Sequence, residues 1–322
     1  MNRFIRAISG IVTAYTASFA FAQGYPSKPI KMIAPFPPAG TSDVLGRFLA
    51  QKLTEGLGQT VVVENRPGAS ANIGHEIASK AAPDGYTIIL SNNGAFTINP
   101  LVFKRMPFDA INDFVPITLI AAAGQVLIVH PTLSAKTVDD VIALAKAKPD
   151  FYNFGSGGIG IPSHITGELF NRVTGTRLTH IPYKGTGQAV LDLVAAQLHM
   201  VFADMVPAVP QIKSGRVRAI AVTSPQRMPI LPDVPTMAEA GAAGVTSQVW
   251  WAMLAPKGVP AEVVTRLNTE LGRIVKLPDV QERYASLGLS TLHSAPQTVH
   301  EWARKEAPDM AKLLEAAGIK PE

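Results

Sequence analysis

The first part of the chain alternates short apolar runs with amphipathic segments. Residues 29–36 read as a strand, and the turn-rich segment 37–43 follows them. From Val44 to Leu53 the apolar positions recur at i, i+3 and i+4, which predicts a helix. Ser42 or Asp43 is expected to be its N-cap residue, because both side chains accept hydrogen bonds from free helical N–H groups. The segment therefore predicts a strand–turn–helix unit.

The same unit recurs in the middle of the chain. A short strand at 152–154 enters the glycine-rich loop 155–160, and a helix from Pro162 to Val173 follows. Residue spacings also repeat: four positions separate Ser42 from Gly46 and Ser163 from Gly167, and ten separate Gly58 from Gly68 and Gly175 from Gly185. Two repeats in the same order predict two lobes of like topology, each an open sheet covered by helices.

Further elements follow from the same periodicities. The predicted strands are 61–64, 86–90, 178–181, 199–203 and 218–223, and the predicted helices are 74–81, the segment after Gly185 through Ala195, 263–274, 280–287 and 299–317.

The most apolar segment, residues 114–129, is interrupted by Pro116 and by the pair Gly124–Gln125. These interruptions favour two buried strands over a membrane-spanning helix, which needs about 20 apolar residues. We expect the strands 125–130 and 250–254 to carry the chain between the two lobes.

The N-terminus has the pattern of a secretory signal peptide. Arg3 and Arg6 precede a mainly apolar stretch from Ala7 to Phe19, and Ala20–Phe21–Ala22 forms an A-x-A cleavage motif. We therefore expect cleavage after Ala22 and export to the periplasm. The expected division of the chain is a signal peptide at 1–22, lobe 1 at 23–123 and again at 249–322, and lobe 2 at 124–248.

Composition excludes several classes of function. After Ala22, 27 basic and 24 acidic residues remain, and because the basic residues are scattered we expect no nucleic-acid partner. The chain contains no Cys, which removes thiol catalysis and thiolate metal sites.

Three motifs that could indicate an enzyme are incomplete. Residues 155–160 match G-x-G-x-x-G, but the acidic residue required about twenty positions later is missing, because Thr179–Ile181 stands there. Phe154 replaces the first glycine of a nucleophile elbow around Ser156. His75–Glu76 lacks the second His of an H-E-x-x-H site. We expect no catalytic residues, no metal and no cofactor.

Loops rich in glycine and hydroxyl side chains precede helices in both predicted lobes. The free N–H groups at helix N-termini carry a partial positive charge that suits an anion. Each such interaction contributes only about 0.3–2 kcal/mol, so several must converge to reach micromolar affinity, about −8 kcal/mol. A cleft between two lobes, at the carboxyl ends of their strands, provides that convergence.

An ordered series of short motifs along the mature chain resembles the Bug-type extracytoplasmic receptors of tripartite tricarboxylate transporters. The motifs are Pro35–Phe36, Ala39–Gly40 with Asp43, Val63–Ala69, Pro83–Thr87, Asn99–Pro100, Gly155–Gly157 with His164, Pro182–Gly185, Leu231–Thr236 and Glu239–Gly241. The resemblance implies an α/β fold of the two-lobed, type II periplasmic-binding-protein (Venus-flytrap) kind. Each lobe then holds an open mixed sheet, and the ligand cleft lies between the lobes.

The resemblance also implies a function. The ligand is expected to be a small carboxylate, which includes di- and tricarboxylic, aromatic carboxylic and amino acids. The expected partner is a membrane permease with one large and one small subunit, and the receptor itself is expected to be a monomer. Members of this family hold a ligand carboxylate through backbone groups, hydroxyls and bridging waters. The sequence departs from the family's Pro-Gly-Gly turn at Pro38–Ala39–Gly40, where one added methyl is expected to leave the turn intact.

The expected ligand contacts lie on loops and helix N-termini of both lobes. They are Phe36, Ala39, Gly40, Thr41, Ser42, Asp43, Ser91, Asn92, Ser156, Gly157, His164, Tyr183, Lys184, Gly185 and Asp204. Structural roles are alternatives for some of them, since residues 41–43 and Asp204 can cap helices and His164 can be a surface or capping residue. We expect Asn65–Gly68 to form a turn, and Trp250–Trp251 to pack between the lobes.

Two other functions remain alternatives to uptake. An exported enzyme of the same architecture would need a titratable pair in the cleft, and His164 with Asp204 is the candidate pair. A sensory protein would bind the same ligand and contact a signalling receptor instead of a permease.

Overall fold

The computed structural model describes residues 24–316, 319 and 321, so the predicted signal peptide at 1–22 lies outside the described residues. Within this part of the chain, strands and helices alternate as predicted. The strands are β1 Ile30–Ala34, β2 Val61–Asn65, β3 Thr87–Asn92, β4 Phe114–Val129, β5 Asn153–Ser156, β6 Thr179–Pro182, β7 Met200–Asp204, β8 Arg218–Val222, β9 Gln248–Pro256 and β10 Ser290–Thr291.

The helices cover both lobes. They are α1 Thr41–Leu57, α2 Asn72–Ser79, α3 Gly94–Thr97, α4 Asn99–Val102, α5 Val138–Ala147, α6 Pro162–Thr174, α7 Thr186–Val194, α8 Met205–Lys213, α9 Ala261–Ile274, α10 Pro278–Ser286 and α11 Gln297–Ala316. None of the helices in the described part of the chain combines the length and the apolar character needed to cross a bilayer.

Each lobe is built on a mixed sheet. In lobe 1 the strand order is β2-β1-β3-β9-β4, with β1, β2 and β3 parallel and β9 antiparallel to both of its neighbours. In lobe 2 the order is β4-β7-β5-β6, with β5, β6 and β7 parallel and β8 paired with β4. The orders β2-β1-β3 and β6-β5-β7 are equivalent, which confirms the predicted likeness of the two lobes and the α/β fold class.

Strand β4 belongs to both sheets. Its residues 114–124 pair with β9 in lobe 1, and its residues 125–129 pair with β7 and β8 in lobe 2. The prediction of two separate strands here was wrong. Register shifts between Pro116 and Thr118 and between Leu119 and Ala121 absorb the proline without ending the strand. The lobe boundaries at 123/124 and 248/249 stay a proposal.

Gly124 explains why the strand passes between the lobes without a break. A Cβ at this position would lie 2.8 Å from the backbone nitrogen of Ser224, so only glycine lets the two segments approach so closely. The glycine therefore marks close packing within a continuous strand, whereas the sequence pattern indicated an interruption.

The repeated glycines play the same structural part in each lobe. Gly58 and Gly175 end α1 and α6 in the left-handed conformation, with φ of 71° and 65°. Gly68 and Gly185 have φ of 129° and 139°, where L side chains are strained. The sequence repeat thus reflects two turns that each lobe makes in the same way.

Helix packing against the sheets forms the core. In lobe 1, α1 buries Leu45, Leu49 and Leu53, which belong to one apolar cluster with residues of β1 and α9. In lobe 2, Phe170 of α6 packs against Phe202 of β7, with ring centroids 5.6 Å apart. These contacts hold α1 against the sheet of lobe 1 and α6 against the sheet of lobe 2.

Candidate functional site

A cavity of about 850 Å³ lies between the two lobes. Lobe 1 lines it with residues 36–42 after β1 and with Trp251 of β9. Lobe 2 lines it with residues 182–188, with Val190 and Leu191, and with the first part of α8. The cavity therefore lies at the carboxyl ends of β1, β6 and β7, where open α/β sheets bind their ligands.

The loop between β1 and α1 is fixed by Asp43. Its carboxylate accepts hydrogen bonds from the Ala39 amide and from Asn65 Nδ2, both at 2.9 Å, and pairs with Arg47 at 2.9 Å. Asn65 Nδ2 also donates to the Phe36 carbonyl at 3.0 Å. Burial alone would raise the pKa of Asp43, but the hydrogen bonds from Arg47, Ala39 and Asn65 outweigh it and lower the pKa. Asp43 thus stays ionised and positions the loop.

Ala39 adopts a left-handed conformation, with φ of 65°. The turn expected from Pro38–Ala39–Gly40 therefore survives the added methyl. Left-handed backbone is strained for alanine by roughly 1–2 kcal/mol.

The N-terminus of α1 opens into the cavity without a capping side chain. The prediction that Ser42 or Asp43 is the N-cap was wrong: Gly40 holds that position, and both residues lie in the first helical turn. The side chain of Asp43 reaches back to the loop instead, so it does not cap the helix. Thr41 lines the cavity, and its buried Oγ1 forms no hydrogen bond within 3.5 Å, although it lies close enough to Asp204 to oppose the rise in that residue's pKa. A buried hydroxyl without a partner is costly, and a ligand oxygen would satisfy it.

Lobe 2 presents a second uncapped helix N-terminus. Gly185 is the N-cap of α7, and no side chain bonds to the free N–H groups of that helix. The Thr186 hydroxyl donates to Asp204 Oδ2 at 2.8 Å, and Gln125 Nε2 donates to Asp204 Oδ1 at 3.3 Å. Burial raises the pKa of Asp204, although the Thr186 hydroxyl, the Gln125 amide and the nearby Thr41 hydroxyl act in the opposite direction. The two lobes thus offer two helix dipoles and one protonatable carboxyl to a shared cavity.

Gln125 connects the cavity to the strands that join the lobes. Besides its bond to Asp204, its Oε1 accepts from Thr166 Oγ1 at 2.7 Å, and its backbone N–H donates to Thr223 Oγ1 at 2.8 Å. Thr166 Oγ1 also lies 2.8 Å from Ser247 Oγ, directly before β9. A continuous hydrogen-bond network therefore runs from the cavity through β4 to the segment that returns to lobe 1.

The cavity brings together ten of the fifteen predicted contact residues. They are Phe36, Ala39, Gly40, Thr41, Ser42, Asn92, Tyr183, Lys184, Gly185 and Asp204. Contact of each with a ligand stays a proposal.

The other five predicted residues lie outside the cavity lining. Asp43 holds the β1–α1 loop, and the buried hydroxyl of Ser91 lies 2.7 Å from His75 Nε2. Ser156 Oγ lies 2.6 Å from His180 Nε2, and the Gly157 amide donates to Ser163 Oγ at 3.0 Å. Ser163 itself lines the cavity, so Gly157 supports the site from behind.

His164 stacks on His180, with ring centroids 3.9 Å apart, and its Nδ1 accepts from the Gly160 amide at 3.1 Å. Burial lowers the pKa of His164 to about 4 and, together with the neighbouring His164, lowers that of His180 to about 3. Both rings are therefore neutral at neutral pH. The hydrogen bonds of Asp204 go to Gln125 and Thr186 rather than to His164.

Sequence reasoning did not find several lining residues. Thr186 and Gln188 follow the predicted loop directly, and the strand–loop–helix pattern with its helix N-terminus could have indicated them. Arg283 and Leu287 come from α10 and its end, almost 100 residues after α7, and no local pattern links them to the site. Trp251, expected to pack between the lobes, lines the cavity.

Among residues 24–316, 319 and 321, no three His, Cys, Asp or Glu side chains come together as a metal site would need. The uncapped helix N-termini, Thr41 and Asp204 instead suit an organic anion.

Comparison with known proteins agrees with this geometry. The sequence model of the tripartite tricarboxylate transporter family receptor matches residues 45–319. The chain is similar to the periplasmic binding protein BugD, with 35% identity and a TM-score of 0.88 over 92% of this chain and 100% of BugD. It is similar to Rpa4515 of R. palustris, solved with adipate, with 32% identity and a TM-score of 0.90 over 92% and 100% of the two chains.

A further similar structure is MatC from Rhodopseudomonas palustris with bound malate, with 27% identity and a TM-score of 0.86 over 90% of this chain and 100% of MatC. These similarities confirm the predicted two-lobed periplasmic-binding-protein fold, with its cleft between the lobes.

Proposed function

Because the chain belongs to the tripartite tricarboxylate transporter family of Bug-type receptors, we propose that it captures a small carboxylate and delivers it to a membrane permease. The ligand is a dicarboxylic, tricarboxylic, aromatic carboxylic or amino acid. The bound adipate of Rpa4515 and the bound malate of MatC support a carboxylate ligand for this chain.

The observation that carries this proposal is the convergence of polar groups on the cavity between the lobes. The N-termini of α1 and α7 lack capping side chains, and Thr41 has a buried hydroxyl without a partner. Asp204 adds a carboxyl that is protonated more readily than usual, because burial raises its pKa. Helix N–H groups, a hydroxyl and a protonated carboxyl all donate hydrogen bonds that a carboxylate accepts, which supports this ligand class.

The location of the protein follows from its N-terminus. We infer that the signal peptide pattern of residues 1–22 directs export to the periplasm, with cleavage after Ala22 and a mature chain that begins at Gln23. The periplasmic relative BugD supports this location. We further propose that the mature chain is a monomer and that its permease has one large and one small subunit.

The chain acts as a receptor and not as an enzyme in this proposal. The enzyme alternative needs His164 and Asp204 to act as a pair, yet His164 lies outside the cavity lining and stacks on His180. A sensory role uses the same ligand site and differs only in its membrane partner.

The proposal is tested by thermal unfolding of the mature chain, Gln23 to Glu322, after unfolding and refolding to remove any carried-over ligand. A carboxylate at about 100 times its Kd adds about 2.7 kcal/mol of stability, which raises Tm by several degrees. We expect a shift with one class of carboxylates and recovery of the ligand unchanged. Shifts with uncharged solutes alone would contradict carboxylate binding, and chemical conversion of the ligand would indicate an enzyme.

Uptake of the labelled ligand by cells distinguishes a transport role from a sensory role. Deletion of the chain is expected to abolish uptake of the labelled ligand, and unchanged uptake would contradict the transport role.

A further inference from the structure

We propose that a second cavity, formed by α6 of lobe 2 and by β9 and α11 of lobe 1, binds an organic ammonium ion with an apolar body. This cavity has a volume of about 540 Å³, within the range of about 300–1,000 Å³ for small-molecule sites. It shares only Pro162 with the lining of the first cavity, so it is a separate site. Both lobes contribute walls, and ligand sites form preferentially at such junctions.

Glu306 of α11 gives this second cavity a negative group. Its carboxylate accepts hydrogen bonds from Trp250 Nε1 at 2.7 Å and from Asn93 Nδ2 at 2.8 Å, and all three residues line the cavity. Glu306 forms none of the ion pairs found in the described part of the chain. Burial raises its pKa, although the hydrogen bonds from Trp250, Asn93 and Thr97 act in the opposite direction. A cation bound beside the carboxylate would favour its ionised form.

Asn93 adds a second hydrogen-bond acceptor beside Glu306. Its Nδ2 donates both to Glu306 and to the Gln248 carbonyl, the latter at 3.2 Å, and these two acceptors fix the orientation of the amide. Its Oδ1 is buried and has no hydrogen-bond partner among the described residues. A buried amide oxygen without a donor is costly, and an ammonium group brings several donors and no acceptor. Asn93 and Glu306 therefore favour the same kind of ligand group.

The remaining walls suit an apolar body. Trp250 and Trp302 line the cavity, with ring centroids 6.1 Å apart and planes at 85° to each other. Indole rings attract cations over their faces. Helices α6 and α11 complete the wall with the apolar side chains of Ile165, Leu169, Met310 and Leu313. Lys305 and Asp309 also line the cavity, but both are exposed and carry opposite charges, which solvent screens.

Titration calorimetry on the refolded mature chain tests the inference. The probes are 2-phenylethylamine, which is a cation at neutral pH, and 2-phenylethanol, which has the same body without the charge. We expect the amine to bind at least about ten-fold more tightly, because only the ammonium group forms charged hydrogen bonds with Glu306. Equal affinities, or no saturable binding of the amine, would overturn the inference. Both results would leave the proposed carboxylate-receptor function intact, because that function is tested at the other cavity.

Three variants locate the bound amine. Glu306→Gln keeps an oxygen for Trp250 and removes the charge, so it is expected to lower the affinity for 2-phenylethylamine at least about ten-fold. Glu301→Gln removes the same charge from an exposed position of α11 outside the cavity lining and serves as the control. Asp204→Asn removes the carboxyl of the first cavity and is expected to leave the affinity for the amine unchanged.

A loss of amine affinity in Asp204→Asn but not in Glu306→Gln would place the amine in the first cavity and overturn the inference. Equal affinities in Glu306→Gln and Glu301→Gln would do the same. A thermal shift of Glu306→Gln with the carboxylate that stabilises the wild type checks that this variant is folded.

Discussion

Replacing Thr41 by valine separates two effects of its hydroxyl: the effect on the stability of the ligand-free protein and the effect on ligand affinity. Valine keeps the branched shape of threonine and removes only the hydroxyl. Thr41 lines the cavity, and its buried Oγ1 forms no hydrogen bond within 3.5 Å, with Asp204 as its nearby polar neighbour. An unsatisfied buried polar group costs about 1–3 kcal/mol, so Thr41→Val is expected to leave the ligand-free protein as stable as the wild type or up to about 1 kcal/mol more stable.

The same change is expected to weaken ligand binding. A hydrogen bond to a charged group contributes about 1.5–3 kcal/mol, which corresponds to roughly a 10- to 150-fold loss of affinity. Urea unfolding of the ligand-free protein and titration calorimetry with the carboxylate that binds the wild type measure the two effects. Stability and affinity should therefore change independently, or in opposite directions.

Thr186→Val is the matched control. The Thr186 hydroxyl donates to Asp204 Oδ2 at 2.8 Å, so its removal leaves a buried carboxyl oxygen with one donor fewer. We expect this variant to lose about 1–2 kcal/mol of stability without ligand. If Thr41→Val is destabilised as much as Thr186→Val, or binds the ligand as tightly as the wild type, the assignment of Thr41 to the ligand is refuted.

Two further predictions concern packing and pH. Gly167→Ala is expected to lower the free energy of unfolding in urea by about 1–3 kcal/mol, because its Cβ would overlap the buried Phe154 ring. The corresponding Gly46→Ala, whose Cβ would lie 3.5 Å from Met32 Sδ, should stay within about 1 kcal/mol of the wild type. Equal losses in the two variants would contradict this packing. The raised pKa of Asp204 means that the folded protein keeps a proton that the unfolded chain releases near pH 4, so this residue's contribution to stability falls as pH rises above that value. Asp204→Asn, which cannot ionise, should therefore gain stability relative to the wild type between pH 4 and pH 7, and a difference that is constant with pH would exclude the shift.

The sequence predicted most of the elements that position the site. Periodicity indicated β1, α1, β5, α6 and α7 because each buries one face against a sheet, and the glycines at 58 and 175 marked the ends of two helices. The expectation of a loop-lined cleft followed from those elements. The ordered motifs then identified the family, which no single pattern of apolar residues could do.

Other features of the fold and of the site could not be predicted from local sequence patterns. Helix α8 contains Pro207 and Pro210, which read as breakers, although the first lies in the opening turn where its missing N–H costs little. Asp43 is a residue type that often caps helices, yet its carboxylate instead accepts a hydrogen bond from Asn65 and pairs with Arg47. Arg283 reaches the cavity through the packing of α10 against lobe 1, a contact set by tertiary structure alone. Such long-range contacts determine specificity and leave no trace in the spacing of neighbouring residues.

A crystal structure of the mature chain with the carboxylate that gives the largest thermal shift tests the central claim most directly. The account predicts one carboxylate of the ligand in the cavity between the lobes, with its oxygens about 2.7–3.1 Å from the Thr41 hydroxyl and from N–H groups in the first turns of α1 and α7. A ligand bound elsewhere on the protein, or bound in this cavity with its carboxylate away from both helix N-termini, would contradict it.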